Sequence, residues 1–359
     1  MSRQVLKVIA FCLIVLTLAM GCVLVNLYKN MQNTNNYDTK QDYDASTEKE
    51  QEVIYQSEPE YRMIIDEKPE SMYTYDDMES DLKCLSEKYK NILTLNTLTQ
   101  TADNRYVYDA VAGNPNSENQ YIITASIHAR EYITTKLTMK LLIDFLKDYS
   151  GNDVLFHFIP MVNPDGVSIS QLGEKGIKNT DVLNKITEIA RSDGKTINDA
   201  NYLRQWKANA NGVDLNRNFD ALWDEYNGPS HPSSDRYKGT SPGSENETAA
   251  LIKLTKDNPI KCTVSYHTMG EVIYWYFAQT GELLEKTQSL AKQISNSTGY
   301  KIDSNYKNLD PAGYKDWAIK ALKIPSVTIE VGHGDNPVDE SQINEIYLAN
   351  KDILKVITQ

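Results

Sequence analysis

Three β-prone runs set the frame for this chain, because each carries, at or near its end, a side chain that can bind a metal or move a proton. Residues 121–127 run into His128, residues 262–268 include His267, and residues 324–332 contain Glu330. An alternating run at 105–111 comes before the first of them, and a helical stretch at 134–149 and a further strand-like run at 154–162 lie between the first and the second. An amphipathic helical pattern through Leu82, Leu85 and Tyr89 precedes them all. Strands alternating with helices predict an α/β fold with helices on the faces of a sheet. Active sites in such sheets gather at strand ends, where His128 and Glu131 would fall.

The tetrapeptide His128-Ala129-Arg130-Glu131 sets an imidazole and a carboxylate three residues apart, a spacing suited to metal ligation. Hydrolytic zinc takes nitrogen and oxygen ligands and keeps one position open for water, so this pair asks for a third ligand. His267 completes a set of two His and one Glu. A carboxylate on a buried strand is costly without a cation or a task. As general base, Glu330 would take a proton from the attacking water and pass it to the leaving amine. The stretch Gly212-Val213-Asp214-Leu215-Asn216-Arg217-Asn218-Phe219 adds a guanidinium between two asparagines. Beside a metal site, Arg217 suits bidentate binding of a substrate carboxylate and Asn216 can donate a further hydrogen bond; taken alone, the stretch also reads as a turn with a surface salt bridge.

Length and composition bound the rest. With 359 residues, 40% of them hydrophobic, the chain can bury the core of one large domain. A formal net charge of −12 argues against non-specific nucleic-acid binding, which needs basic surface. Cys12 and Cys22 lie in an apolar N-terminal stretch, and Cys84 and Cys262 read as two buried thiols rather than a disulfide. From Val8 to Tyr28 there is no charged residue, and Arg3 and Lys7 precede the run. Residues 1–28 are therefore expected to be a membrane anchor with the bulk of the protein outside the cytoplasm, or else an export signal. Residues 29–72 read as a polar linker and residues 73–359 as the folded domain.

On these separated motifs, in this order, the chain resembles the zinc metallocarboxypeptidase family, which includes carboxypeptidase A-like and T-like enzymes. The resemblance runs from about Tyr73 to the C terminus. It implies a single domain with a mixed central β-sheet flanked by helices, and one zinc per chain held by His128, Glu131 and His267. It also implies Glu330 as general base and Arg130, Asn216 and Arg217 as substrate anchors. Where the family has an Arg after a Trp that polarises the scissile carbonyl, this chain has Lys207 after Trp206. A point cation can still stabilise an oxyanion there, without the bidentate fork. Tyr306 is the nearest candidate for the family's substrate-capping tyrosine. Lys315 falls where the family sets side-chain preference at the pocket base, and a lysine there favours an acidic group on the substrate.

Four cations, Arg130, Lys207, Arg217 and Lys315, would then share one cleft with the zinc, so a polyanionic substrate is expected. The segments 266–275, 312–317 and 332–337 are similar to the branch of γ-D-glutamyl-diaminopimelate peptidases, in which His333 would be a substrate contact or a loop residue without a role. The expected function is hydrolysis of the γ-D-glutamyl-diaminopimelate bond of cell-wall stem peptides by metal-activated water. A carboxypeptidase acting on ordinary peptides and a wall-binding protein without turnover are the two alternatives.

Overall fold

The computed structural model describes residues 63–359 except Asn308. The expected anchor over 1–28 and most of the linker lie outside the described residues. Among those that are described, no helix is long and apolar enough to cross a membrane.

Eight strands form one mixed sheet. They are β1 (Leu93–Gln100), β2 (Tyr106–Gly113), β3 (Gln120–Ala125), β4 (Leu155–Ile159), β5 (Ile260–His267), β6 (Val272–Tyr274), β7 (Lys301–Ile302) and β8 (Ser326–Glu330). Their order is β1-β2-β4-β3-β5-β8-β6-β7. The four central strands β4, β3, β5 and β8 run parallel, while β1–β2, β2–β4 and β8–β6 pair antiparallel. Every residue of β3 is buried, as expected of a parallel strand covered on both faces. Successive side chains point to opposite faces, so Ile122 joins one apolar cluster with Leu215, Phe219 and Leu251. Ile123 joins the other, with Val264, Val327 and Leu142.

Helices cover both faces, and the two read from periodicity contribute to the same cluster, the one that holds Ile123. The first pattern forms the helix Tyr75–Lys88, started by a capping box between Thr74 and Asp77, and the second forms Ile133–Asp148. Cys84 and Cys262 are both free thiols, as expected.

The packed domain reaches back to Met63, within the stretch read as linker. Ile65 is buried in a short helix (Ile64–Glu67), the N–H groups of Ile64 and Ile65 donate to Asp81, and Tyr73 donates to the same carboxylate at 2.7 Å. So short a turn has no period to read; only its tertiary partner reveals it.

Lys136 fastens the same region. Its side chain is fully buried, donating to the carbonyl of Ser71 at 2.6 Å and to Glu340 Oε2 at 2.9 Å, so one ammonium links the N-terminal segment, a core helix and the C-terminal segment. Truncation would leave Glu340 facing an empty site, and breaking a buried pair from one side costs roughly 3–5 kcal/mol. Lys136→Ala is accordingly expected to lower the denaturant midpoint with little change in slope, whereas Lys136→Met in a Glu340→Gln background should recover most of the loss. A midpoint unmoved by Lys136→Ala would show that the pair contributes nothing net.

Candidate active site

The strand ends bring the metal-ligand candidates together. After β3 the chain turns through Ser126, whose backbone is left-handed at φ 51°, into a short turn at Ala129–Glu131. The buried Ser126 hydroxyl lies within 2.9 Å of the Thr134 and Thr135 hydroxyls, which fixes the loop against the helix Ile133–Asp148. His128 and Glu131 are thereby held on one side of the turn. His267 is the last residue of β5, and the β5–β8 register sets it directly beside Glu330.

His128 Nδ1 lies 2.9 Å from Glu131 Oε1, His267 Nδ1 lies 2.9 Å from Glu131 Oε2, and the two ring nitrogens are 3.1 Å apart. All three residues are buried. Two imidazole nitrogens facing each other and a carboxylate leave too few protons to satisfy every contact, and a divalent cation satisfies all of them at once. Tetrahedral zinc ligands at about 2.0–2.2 Å from the metal stand about 3.3 Å apart, so the donor set fits zinc with shifts of a few tenths of an ångström. Burial opposes charge on Glu131, but His128 and His267 together hold its carboxyl well below the usual range.

Behind this set stands Asp214, fully buried, to which sequence reasoning assigned no role. Its Oδ1 is 3.2 Å from His128 Nε2, close enough for charge pairing although not aligned as a hydrogen bond. A carboxylate on the far nitrogen of a metal-binding imidazole fixes its ring and raises its basicity. Burial pushes Asp214 up, but Lys207 and His128 outweigh it and hold the carboxyl far down. The only available signal was its place two residues before Asn216.

Glu330 lies at the end of β8 with one oxygen, Oε2, buried and unpartnered. Burial pushes its carboxyl up to about 7 against the pull of His267, so it is poised to hold and release a proton. A carboxylate with an open oxygen beside His267 can accept a proton from a water in the cleft.

The cleft over this cluster, about 400 Å³, is lined by all the foreseen residues except Tyr306 and His333. Asn216 points its Oδ1 at the N–H of Tyr314 at 3.0 Å, leaving its amide nitrogen for the cleft. Arg130 donates to Gln205 Oε1 at 3.3 Å, and Gln205 in turn donates to the Asn336 carbonyl at 2.6 Å. Asn336 and Thr268 bond each other on the cleft wall and had not been singled out. Tyr306 stands outside the lining, its ring centroid 4.9 Å from that of Tyr276, which does line the cleft. His333 is exposed, 3.7 Å from Glu271, and does not line the cleft.

The charge pattern corrects one expectation. Lys207 sits 3.5 Å from both Asp214 and Asp235, Arg217 donates to Asp310 Oδ2 at 2.5 Å, and Lys315 pairs with Asp316. Of the four cations, only Arg130 meets no carboxylate among the ion pairs of the described residues. Three of the four cations thus already face a carboxylate, so the cleft is less positive than the cations alone imply. The cations are visible in the sequence, whereas Asp214, Asp235 and Asp310 become their partners only in the fold.

A family model described as zinc carboxypeptidase matches residues 78–356 of this chain. Among curated proteins, the γ-D-glutamyl-L-diamino acid endopeptidase 1 of Lysinibacillus sphaericus is 32% identical over 292 residues, covering 77% of this chain and 69% of that protein. The uncharacterized protein YqgT of Bacillus subtilis is 29% identical over 299 residues, covering 78% of this chain and 76% of its own length. Among solved structures, carboxypeptidase A from Helicoverpa armigera superposes with a TM-score of 0.65 at 17% identity, over 80% of this chain and 73% of that one, a likeness of fold.

Proposed function

Because this chain belongs to the zinc carboxypeptidase family and is a zinc metallopeptidase, we propose that it hydrolyses the γ-D-glutamyl-diaminopimelate bond of cell-wall stem peptides. His128, Glu131 and His267 hold the zinc in this reading. When bound, the metal supplies Lewis acidity, polarising the scissile carbonyl and acidifying a water. Glu330 takes the proton from the attacking water and returns it to the leaving nitrogen, a role supported by its open Oε2. Lys207, kept charged because its two carboxylate neighbours outweigh burial, steadies the oxyanion. Asn216, Arg217 and Lys315 position the leaving residue, and Arg130 contacts the other side of the bond. Tyr306, in ring contact with Tyr276, is the candidate for capping the substrate in this reading.

The observation that carries this reading is the pocket of ion pairs. An apolar or purely acidic pocket would favour ordinary C-terminal residues, whereas Arg217 and Lys315, each beside an acid, match a leaving residue that is itself multiply charged. The named activity of the Lysinibacillus relative, a γ-D-glutamyl-L-diamino acid endopeptidase, points the same way. The proposal places the catalytic part outside the cytoplasm, with residues 1–28 as its anchor or export signal.

The test offers zinc-loaded protein L-Ala-γ-D-Glu-diaminopimelate and ordinary C-terminal peptides side by side, with products read by mass spectrometry and Glu330→Gln as the blank. Release of diaminopimelate supports the reading, and cleavage only of ordinary peptides replaces it with a general carboxypeptidase. Lys315→Asp should cut kcat/KM for the wall peptide about a hundredfold or more, since an attractive contact becomes a repulsive one, while zinc content stays at one per chain. If zinc and turnover fall together, Lys315 is holding the fold and not the substrate.

A further inference from the structure

The two acids of the pocket are not equivalent. Asp316 is 6% exposed, pairs with Lys315 and accepts the N–H of Gly313 through Oδ2, so both of its oxygens are committed. Asp310 is 72% exposed although it lines the cleft, and its Oδ2 touches the Nη2 of Arg217. Arg217, by contrast, is largely buried, with Nη1 donating to the Asn216 carbonyl and Nε without a partner. One edge of the ion pair is therefore fixed in the wall and the other is open to whatever enters.

We propose that Asp310 is a specificity-determining residue that binds the free ammonium of a zwitterionic leaving residue, while Arg217 and Lys315 take its carboxylates. The inference rests on the wall-peptidase reading and deepens it. A simple carboxylate reaching Arg217 arrives beside the carboxylate already there, and the like charges repel in a cleft that water screens only partly. A leaving residue that carries an ammonium beside its carboxylate removes that conflict, because each of its charges meets one of opposite sign. Diaminopimelate, acylated on one amine, still offers two carboxylates and one ammonium, which matches two cations and one accessible acid. Ordinary C-terminal residues with apolar side chains offer a carboxylate alone and meet the repulsion unrelieved. Asp310 thus selects by both attraction and exclusion.

Two dipeptides separate this role from mere support of Arg217: γ-D-glutamyl-diaminopimelate, and γ-D-glutamyl-2-aminopimelate, whose single amine is used up in the amide. Their affinities are measured by calorimetry on zinc-loaded Glu330→Gln protein, with and without Asp310→Asn. The diaminopimelate compound should bind about tenfold more tightly before the second substitution, and Asp310→Asn should erase that preference by weakening this ligand and, with the repulsion removed, holding or tightening the aminopimelate one. Asp310→Glu should restore part of it. Equal loss for both ligands would reduce Asp310 to a positioning residue for Arg217 and overturn the proposal, as would an unchanged preference or an absence of preference at the start. Hydrolysis by the unsubstituted protein is scored separately: an intact ammonium preference without cleavage of the γ-D-glutamyl bond would sink the peptidase reading while leaving Asp310 in its role.

Discussion

Glu330→Gln is expected to lower kcat on γ-D-glutamyl-diaminopimelate by about a thousandfold or more while one zinc per chain remains bound. The amide keeps the shape of the side chain at the end of β8 but cannot accept a proton, and a positioned general base contributes roughly 10²–10⁴ in rate. Because His267 is the direct cross-strand neighbour of Glu330, zinc content has to be measured on the same sample. Loss of both zinc and turnover would assign Glu330 to the metal's support, and a rate within tenfold of the parent would remove it from proton transfer. The pH profile adds an independent check. Burial raises the carboxyl to about 7 in the protein without metal, and a nearby divalent cation favours the ionised form, so the acid limb of kcat/KM in the zinc-loaded protein should have its midpoint below 7. Stability without the metal runs the other way. The folded carboxyl holds its proton where an unfolded one has released it, so the folded state binds more protons between about pH 4.5 and 7, and the contribution of Glu330 to stability falls as pH rises through that window. Chelated Glu330→Gln should lack this decline, which thermal unfolding at pH 5 and pH 7 would show.

The parts of the fold visible in the sequence are those with a long period or a fully buried run. The helices Tyr75–Lys88 and Ile133–Asp148 cover the stretches where a helical pattern is read, and β3, β5 and β8 coincide with apolar β-prone runs. β6 has three residues and β7 has two, too few for alternation to register; β6 adds to the edge of β8, and β7 to the edge of β6. The metal-ligand candidates were readable because ligation needs particular side chains at particular spacings. Their supporters were not, because support needs only proximity. Asp214 reaches His128 through a turn that no local pattern announces, and Asp310 reaches Arg217 across 93 residues of chain. Lys315 and Asp316 are adjacent, yet neighbours on a helix do not normally face each other, so their pairing was hidden in plain view.

Glu131→Ala is expected to have the second large effect, and it acts through the metal. Zinc held by four ligands in small proteins has an apparent binding free energy of roughly 10–16 kcal/mol, or about 3 kcal/mol for each ligand. Removing one therefore weakens binding about a hundred- to a thousandfold. The substitution also leaves the Nδ1 atoms of His128 and His267, 3.1 Å apart, with no acceptor between them. One of the rings must then turn away or both must stay neutral, and zinc is bound by two nitrogens alone. Competition with a chromophoric chelator gives the affinity directly, and activity should return in part as free zinc is raised above the new dissociation constant. Glu131→Gln separates charge from shape: it keeps an oxygen in the same place without the negative charge, so its affinity should fall between the parent and the alanine variant. An unaltered zinc affinity in the alanine variant would mean that the carboxylate only orients the two imidazoles, and that the metal is held by His128 and His267 with a fourth group from outside this set.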